Sequence, residues 1–186
     1  MTADIPTYID NNFYQESLMH MAVSGVNQFL YFNPWTFGVT MREHELLQSV
    51  LEELGDRLGC ADRTWLVDPS MRWQDDFVLT GADVHGDAPY RVWRFSPLVP
   101  SEFAPTVEKP KPGSAGAVGN VSLPVRLLLS PGSMASCVIR FADAAISQGP
   151  SSAFGWWIKQ PATSLSPTVN CTGQPTLKAW PLDASL

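Results

Sequence analysis

Asp83, His85 and Asp87 stand at a spacing that could hold a metal ion. Alternate residues of a strand share one face, so Asp83-x-His85-x-Asp87 could bring two carboxylates and an imidazole onto one divalent cation. The same side chains also suit a polar hairpin tip, with Asp87 solvating the turn before Pro89. No metal and no other cofactor is therefore assigned. His44-Glu45 lacks the second histidine of a zinc-protease helix, because Gln48 stands in its place. Gly113, Gly116 and Gly119 are spaced like a phosphate loop. No Lys-Ser/Thr pair and no helix follows them; Pro124 and strand-forming residues do. The serine-nucleophile pattern GxSxG is missing. The carboxylate pairs Glu52-Glu53 and Asp75-Asp76 are adjacent in sequence, so on a helix or strand they do not face each other. The chain is read as a non-enzyme. A Cys/His or Ser/His pair formed in space is left to the fold.

The aromatic residues carry more weight. Trp156-Trp157 in a strand puts one indole on each face, and Trp35, Trp73 and Trp180 fall in or beside loops. Trp35, Phe37, Trp156, Trp157 and Trp180 are the candidate interface residues, since tryptophan dominates the energetics of many protein contacts. The same indoles could stack on a sugar ring, or simply fill a core. Basic groups do not interleave with them, so stacking on single-stranded nucleic acid is not expected.

The elements that must position these residues are bounded by composition. The chain has 186 residues, 45% hydrophobic, and only 16% charged, against about 25% in typical soluble proteins. A net charge of −6 argues against a nucleic-acid coat. The charges are split. Residues 1–108 hold 16 acidic and 6 basic side chains, whereas residues 109–186 hold 2 and 6. The charge-poor part reads as surface covered by another chain, or as a β structure solvated by Ser, Thr, Asn and Gln. Cys60, Cys137 and Cys171 are odd in number and unclustered, which reads as reduced, buried thiols in a cytosolic setting. No apolar run is long enough for a membrane-crossing helix. Residues 1–6 lack the basic and apolar regions of a targeting peptide, so none is expected.

Apolar spacing suits a helix over 13–32, weakened by Gly25. A second helix is expected over 41–58, from Leu47, Val50, Leu51, Leu54 and Leu58. A Thr40/Glu43 capping box should start it and Gly59 should end it. Residues 33–38 read as an aromatic-bearing turn. Strands are expected at 64–67, 77–84, 90–95, 121–129, 135–142 and 154–159, with hairpin turns at 85–89 and 130–133. The fold class that follows is α+β: N-terminal helices with a small antiparallel sheet, then a β-rich, sandwich-like C-terminal half. The divisions expected are an arm at 1–12, a helical and hairpin part at 13–96, a Pro/Gly-rich linker or loop at 97–120, a β-rich part at 121–160 and an extended tail at 161–186, or one domain throughout.

Cys137-Val138-Ile139-Arg140-Phe141-Ala142-Asp143, followed by Phe154-Gly155-Trp156-Trp157, resembles the last strands of picorna-like viral jelly-roll capsid proteins. The helix at 41–58 does not belong to a plain eight-stranded jelly roll, so no membership is assigned. Low charge and this resemblance together give the expected function. The chain is read as a structural subunit of a large assembly, a virus or phage component (capsid, connector or tail) acting through contacts with identical or different protein subunits. The expected location is a virion assembled in the host cytoplasm, otherwise the cytoplasm, without nucleic-acid binding or membrane insertion. A carbohydrate-binding β module is the alternative, and a metal-dependent enzyme the third reading.

Overall fold

The computed structural model describes residues 11–26, 28, 37–59, 61–66, 76–98, 104–108, 118–130, 133–149 and 154–173. Helix α1 (Asn11–Val23) buries Leu18, Met19, Ala22 and Val23 along one side. It stops because Gly25 adopts a positive φ of 100°. The Val26 N–H then donates to the Met21 carbonyl (3.0 Å) and the Gly25 N–H to that of Ala22 (3.1 Å), a two-bond cap that needs a left-handed residue. Gly25 thus ends the first helix, where continuation to residue 32 was expected. Helix α2 (Phe37–Leu58) begins ahead of Thr40, so Thr40 lies inside the helix and not at its cap. Its stripe of Val50, Leu54 and Leu58 is buried, and Gly59 closes it with a φ of 60°.

The strands are β1 (Arg63–Trp65), β2 (Phe77–Val84), β3 (Tyr90–Pro97), β4 (Thr106–Glu108), β5 (Gly119–Ser130), β6 (Ser133–Ser147), β7 (Trp156–Pro161) and β8 (Thr168–Cys171). They form a single eight-stranded antiparallel sheet in the order β1-β2-β3-β7-β6-β5-β4, with β8 also on β6. Half of the described residues are strand. This corrects the expected small sheet followed by a separate β-rich half. Strand β7 pairs with β3 on one side and β6 on the other, which joins the early hairpin to all the later strands. Strands β4 and β8 fall in the stretches read as linker and tail. Alternating hydrophobicity marks each strand locally, but it does not say which distant edge will pair with it.

The sheet bends at one corner of β6. Most of that strand pairs with β5, and residues 137–140 also pair with β8; Ala145, Ile146 and Ser147 pair with β7 instead. At the changeover Asp143 has a φ of 50°, and the β5 register slips between Gly119 and Val121. Such a bulge kinks and twists a strand. The result is two leaves facing each other, a front leaf of β1, β2, β3 and β7 and a rear leaf of β4, β5, β6 and β8. Asp76, beside β2, forms an ion pair with Arg126 on β5. In a flat sheet those strands would lie about 19 Å apart at ~4.8 Å per strand, so the pair requires the fold-over.

Between the leaves, Phe77, Leu79, Trp93, Phe95 and Ile158 meet Leu123, Leu127, Ile139 and Phe141. On the far side of the front leaf, Ala82, Val84, Val92 and Trp157 pack against the apolar faces of α1 and α2. Helices, front leaf and rear leaf make three layers around two cores. No helix among the described residues is long and apolar enough to cross a membrane.

Candidate functional site

The densest chemistry lies between α1 and the front leaf, at positions the sequence did not single out. Glu16 and His20 sit one turn apart on α1, and Thr80, Arg94 and Ser96 project from the helix-facing side of β2 and β3; all five are buried. The Glu16 carboxylate accepts hydrogen bonds from Arg94 Nε (2.9 Å) and Nη2, and from Ser96 Oγ (2.6 Å). The single Ser96 proton therefore points at Glu16. His20 Nε2, 2.8 Å from the same Oγ, must then donate to it. This assigns the tautomer: Nδ1 accepts from Thr80 Oγ1 at 2.8 Å. Burial first, and the positive charge of Arg94 second, lower the His20 pKa from 6.5 to about 3, so the ring is neutral.

The spatial Ser/His pair left open by sequence thus exists, but with its polarity reversed. A nucleophilic serine needs an imidazole nitrogen that takes its proton, and a carboxylate behind the ring. Here the carboxylate takes the serine proton, and a hydroxyl stands behind the ring. The arrangement positions elements: a Thr80–His20–Ser96–Glu16–Arg94 chain ties the first helix to two strands. The Arg94 guanidinium also lies 4.7 Å from the Trp157 ring centre. The Trp157 indole N–H donates to Glu53 of α2, which brings the second helix into the same network. Sequence did hold a signal. Glu16/His20 at helical spacing and Arg94/Ser96 at strand spacing are polar residues on faces that otherwise read as apolar.

The residues singled out by sequence are dispersed. Asp83 pairs with Arg91 (2.9 Å), the His85 ring shares a hydrogen bond with Thr64 Oγ1 (2.8 Å), and Asp87 is exposed at the hairpin tip. No group of three metal-ligating side chains converges among the described residues. Trp156 and Trp157 do lie on opposite faces of β7. Trp156 is half-buried against the inter-leaf core, and Trp157 is 2% exposed within the helix-side core. Trp157 is therefore closed to a partner chain or a sugar. Phe37 is the first residue of α2; Trp35 and Trp180 lie outside the described residues.

Cys137 and Cys171 are joined in a disulfide, which corrects the expectation of reduced thiols. They are opposite each other in the β6/β8 pairing, with Cα atoms 4.0 Å apart. A separation of 34 residues hides that juxtaposition in the sequence.

The rear leaf turns its other face outward. Ser122, Pro124, Arg126, Val138, Arg140 and Asn170 alternate with the core residues and are half-buried or exposed. A shallow depression of about 400 Å³ opens there, lined by Pro124, Arg126, Ser136, Val138, Asn170 and Thr172. No protein-family model matches the chain, and neither curated proteins nor solved structures yield a match. The resemblance to jelly-roll capsid proteins gains no support from these comparisons.

Proposed function

We propose that the protein is a non-enzymatic structural subunit that works through contacts with other protein chains. The outer face of the rear leaf carries this reading. Both faces of the front leaf and the inner face of the rear leaf are packed. The outer face joins a short edge strand, β4, whose residues are exposed, to a surface of Ser, Thr, Asn, Pro and Val with two arginines. A low-charge surface with an apolar centre and an arginine or two is the composition of a contact patch. Apart from β4, it falls in the charge-poor residues 109–186.

The finer form of the reading is a virus or phage particle component. A disulfide persists in oxidising surroundings, so we place the working protein in a finished particle and not in a reducing cytoplasmic pool. Light scattering on the purified chain tests the reading. Self-association is expected, with loss of association in Val138→Lys. A clean monomer that recruits no partner overturns it.

A further inference from the structure

We propose that β8 is an exchangeable strand, and that its place on the β6 edge at residues 137–140 is also the docking site for β8 of a second copy. The inference rests on the structural-subunit reading and adds a second contact between copies, at the β6 edge, beside the outer face of the rear leaf. Strand β8 is four residues long and pairs only with β6 among the described residues. Two of its side chains point inward: Val169 is fully buried and Cys171 nearly so. Withdrawal of β8 would open the inter-leaf core and bare the β6 edge, which then needs an occupant with this inward pattern and register. An identical strand meets both conditions. Exchange of identical elements between copies is a low-cost route to a dimer because every contact in it already exists in the monomer.

The connection to β7 permits the exchange. Both β7 and β8 run antiparallel to the same edge of β6. The six residues between them leave that edge just where β6 bends. This segment is fixed by one turn bond, Ser164 N–H to the Pro161 carbonyl (3.0 Å), and by Arg91 donating to the Ser164 carbonyl (2.9 Å). Leu165 is 78% exposed on it. Straightened, six residues reach about 20 Å, enough to carry β8 onto a neighbour. Pro161 and Pro167 bound the segment and favour the extended form.

The disulfide gates the step. While Cys137 and Cys171 of one chain are joined, β8 cannot leave. A dithiol reduces the bond to two thiols and becomes a disulfide itself. After exchange, a small disulfide oxidant takes the two hydrogens from Cys137 of one copy and Cys171 of the other, and is reduced to two thiols. Two such bonds then close the reciprocal dimer.

The test uses two full-length chains, each with Cys60→Ser, one carrying Cys137→Ser and the other Cys171→Ser. Neither can form the native bond alone. Refolded together with oxidised glutathione, they are expected to give a covalent dimer of unlike chains as the main product, with Cys137 linked to Cys171 in the peptide map. Like and unlike dimers in statistical proportion, or no covalent dimer, overturn the proposal. A second variant keeps all cysteines and deletes residues 162–167. Lys159 faces Ala145 and Thr168 faces Arg140, and the three chain steps left between them cannot span five positions of β6, so β8 cannot regain its register in its own chain. A dimer held by disulfides between chains supports exchange; an oxidised monomer or an unfolded chain overturns it. Self-association of the unaltered chain without any unlike dimer overturns the exchange alone. A persistent monomer with no unlike dimer overturns the assembly reading as well.

Discussion

Arg94 of β3 and Glu16 of α1 form a two-pronged ion pair in the interior, with the arginine side chain fully buried and the glutamate 5% exposed. Two charges removed from water are tolerated only where each is paired and hydrogen-bonded. Here the Ser96 hydroxyl also donates to the carboxylate, and the Trp157 ring lies beside the guanidinium. Breaking one partner leaves the other uncompensated. Glu16→Ala or Arg94→Ala is expected to lose about 3–5 kcal/mol of stability in urea unfolding. The double variant Glu16→Leu/Arg94→Met should lose much less than the sum of the single losses. Additive losses would show that the pair is not coupled.

His20 makes folding sensitive to acid. Its folded pKa of about 3 lies below the unfolded value of 6.5, so between those limits the unfolded chain binds the extra proton. Stability is then full above pH 6.5 and falls as the pH drops toward 3, by an amount on the order of 5 kcal/mol from this residue. Denaturant melts across that window should show a shallower slope for His20→Gln than for the natural chain, by about one proton. Parallel slopes would refute the assignment.

Gly155 and Gly149 have no room for a side chain. A Cβ on Gly155 would collide with Arg94 Nη2 and a Glu16 oxygen, and one on Gly149 would collide with Glu53 Oε1. These neighbours are buried and mutually bonded, so they cannot swing away freely. Gly155→Ala is expected to destabilise by about 1–3 kcal/mol. Gly149→Ala should do so too, with a change in the tryptophan fluorescence as the Glu53–Trp157 bond is disturbed.

The Cys137–Cys171 bond closes a loop of 34 residues, which corresponds to about 3–4 kcal/mol through restriction of the unfolded chain. A dithiol reductant should lower the unfolding midpoint accordingly. The Cys137→Ala/Cys171→Ala variant should start from the lowered value and ignore the reductant. A midpoint unmoved by reductant in the natural chain would show that the bond contributes nothing.

Gln160 holds the sheet's corner. Its Oε1 accepts from the Trp93 indole (2.9 Å) and its Nε2 donates to the Ala142 carbonyl (2.7 Å) beside the bend in β6. Gln160→Leu leaves the buried Trp93 indole N–H and the half-buried Ala142 carbonyl without these partners, at about 1–3 kcal/mol for the indole and less for the carbonyl. Loss of less than 1 kcal/mol in urea unfolding would mean that the corner does not depend on this contact.

Elements with a strong local pattern were legible. Phe77–Val84 matches its expected span, and the stripe of Val50, Leu54 and Leu58 lies on the buried side of α2, since both follow from side-chain periodicity. The start of α2 and the end of α1 were displaced. Thr40 has the chemistry of a cap, but the helix continues through it. Gly25 terminates because its backbone turns left-handed, which composition alone does not reveal. The short strands β4 and β8 carried too few residues for any period to show, and both exist through pairing with longer strands.

The strand-forming runs, the acidic helix and the shortage of charge after residue 108 follow from the order of residues alone. That shortage divides between inward-facing core residues and an outer face with few charges. Tertiary structure alone decided which edges joined, and with them the Glu16–Arg94 network, the disulfide and the single folded sheet. Periodicity is set by neighbours a few residues apart. Register, burial and pairing are set by residues tens of positions away, and those contacts form only when the chain closes on itself.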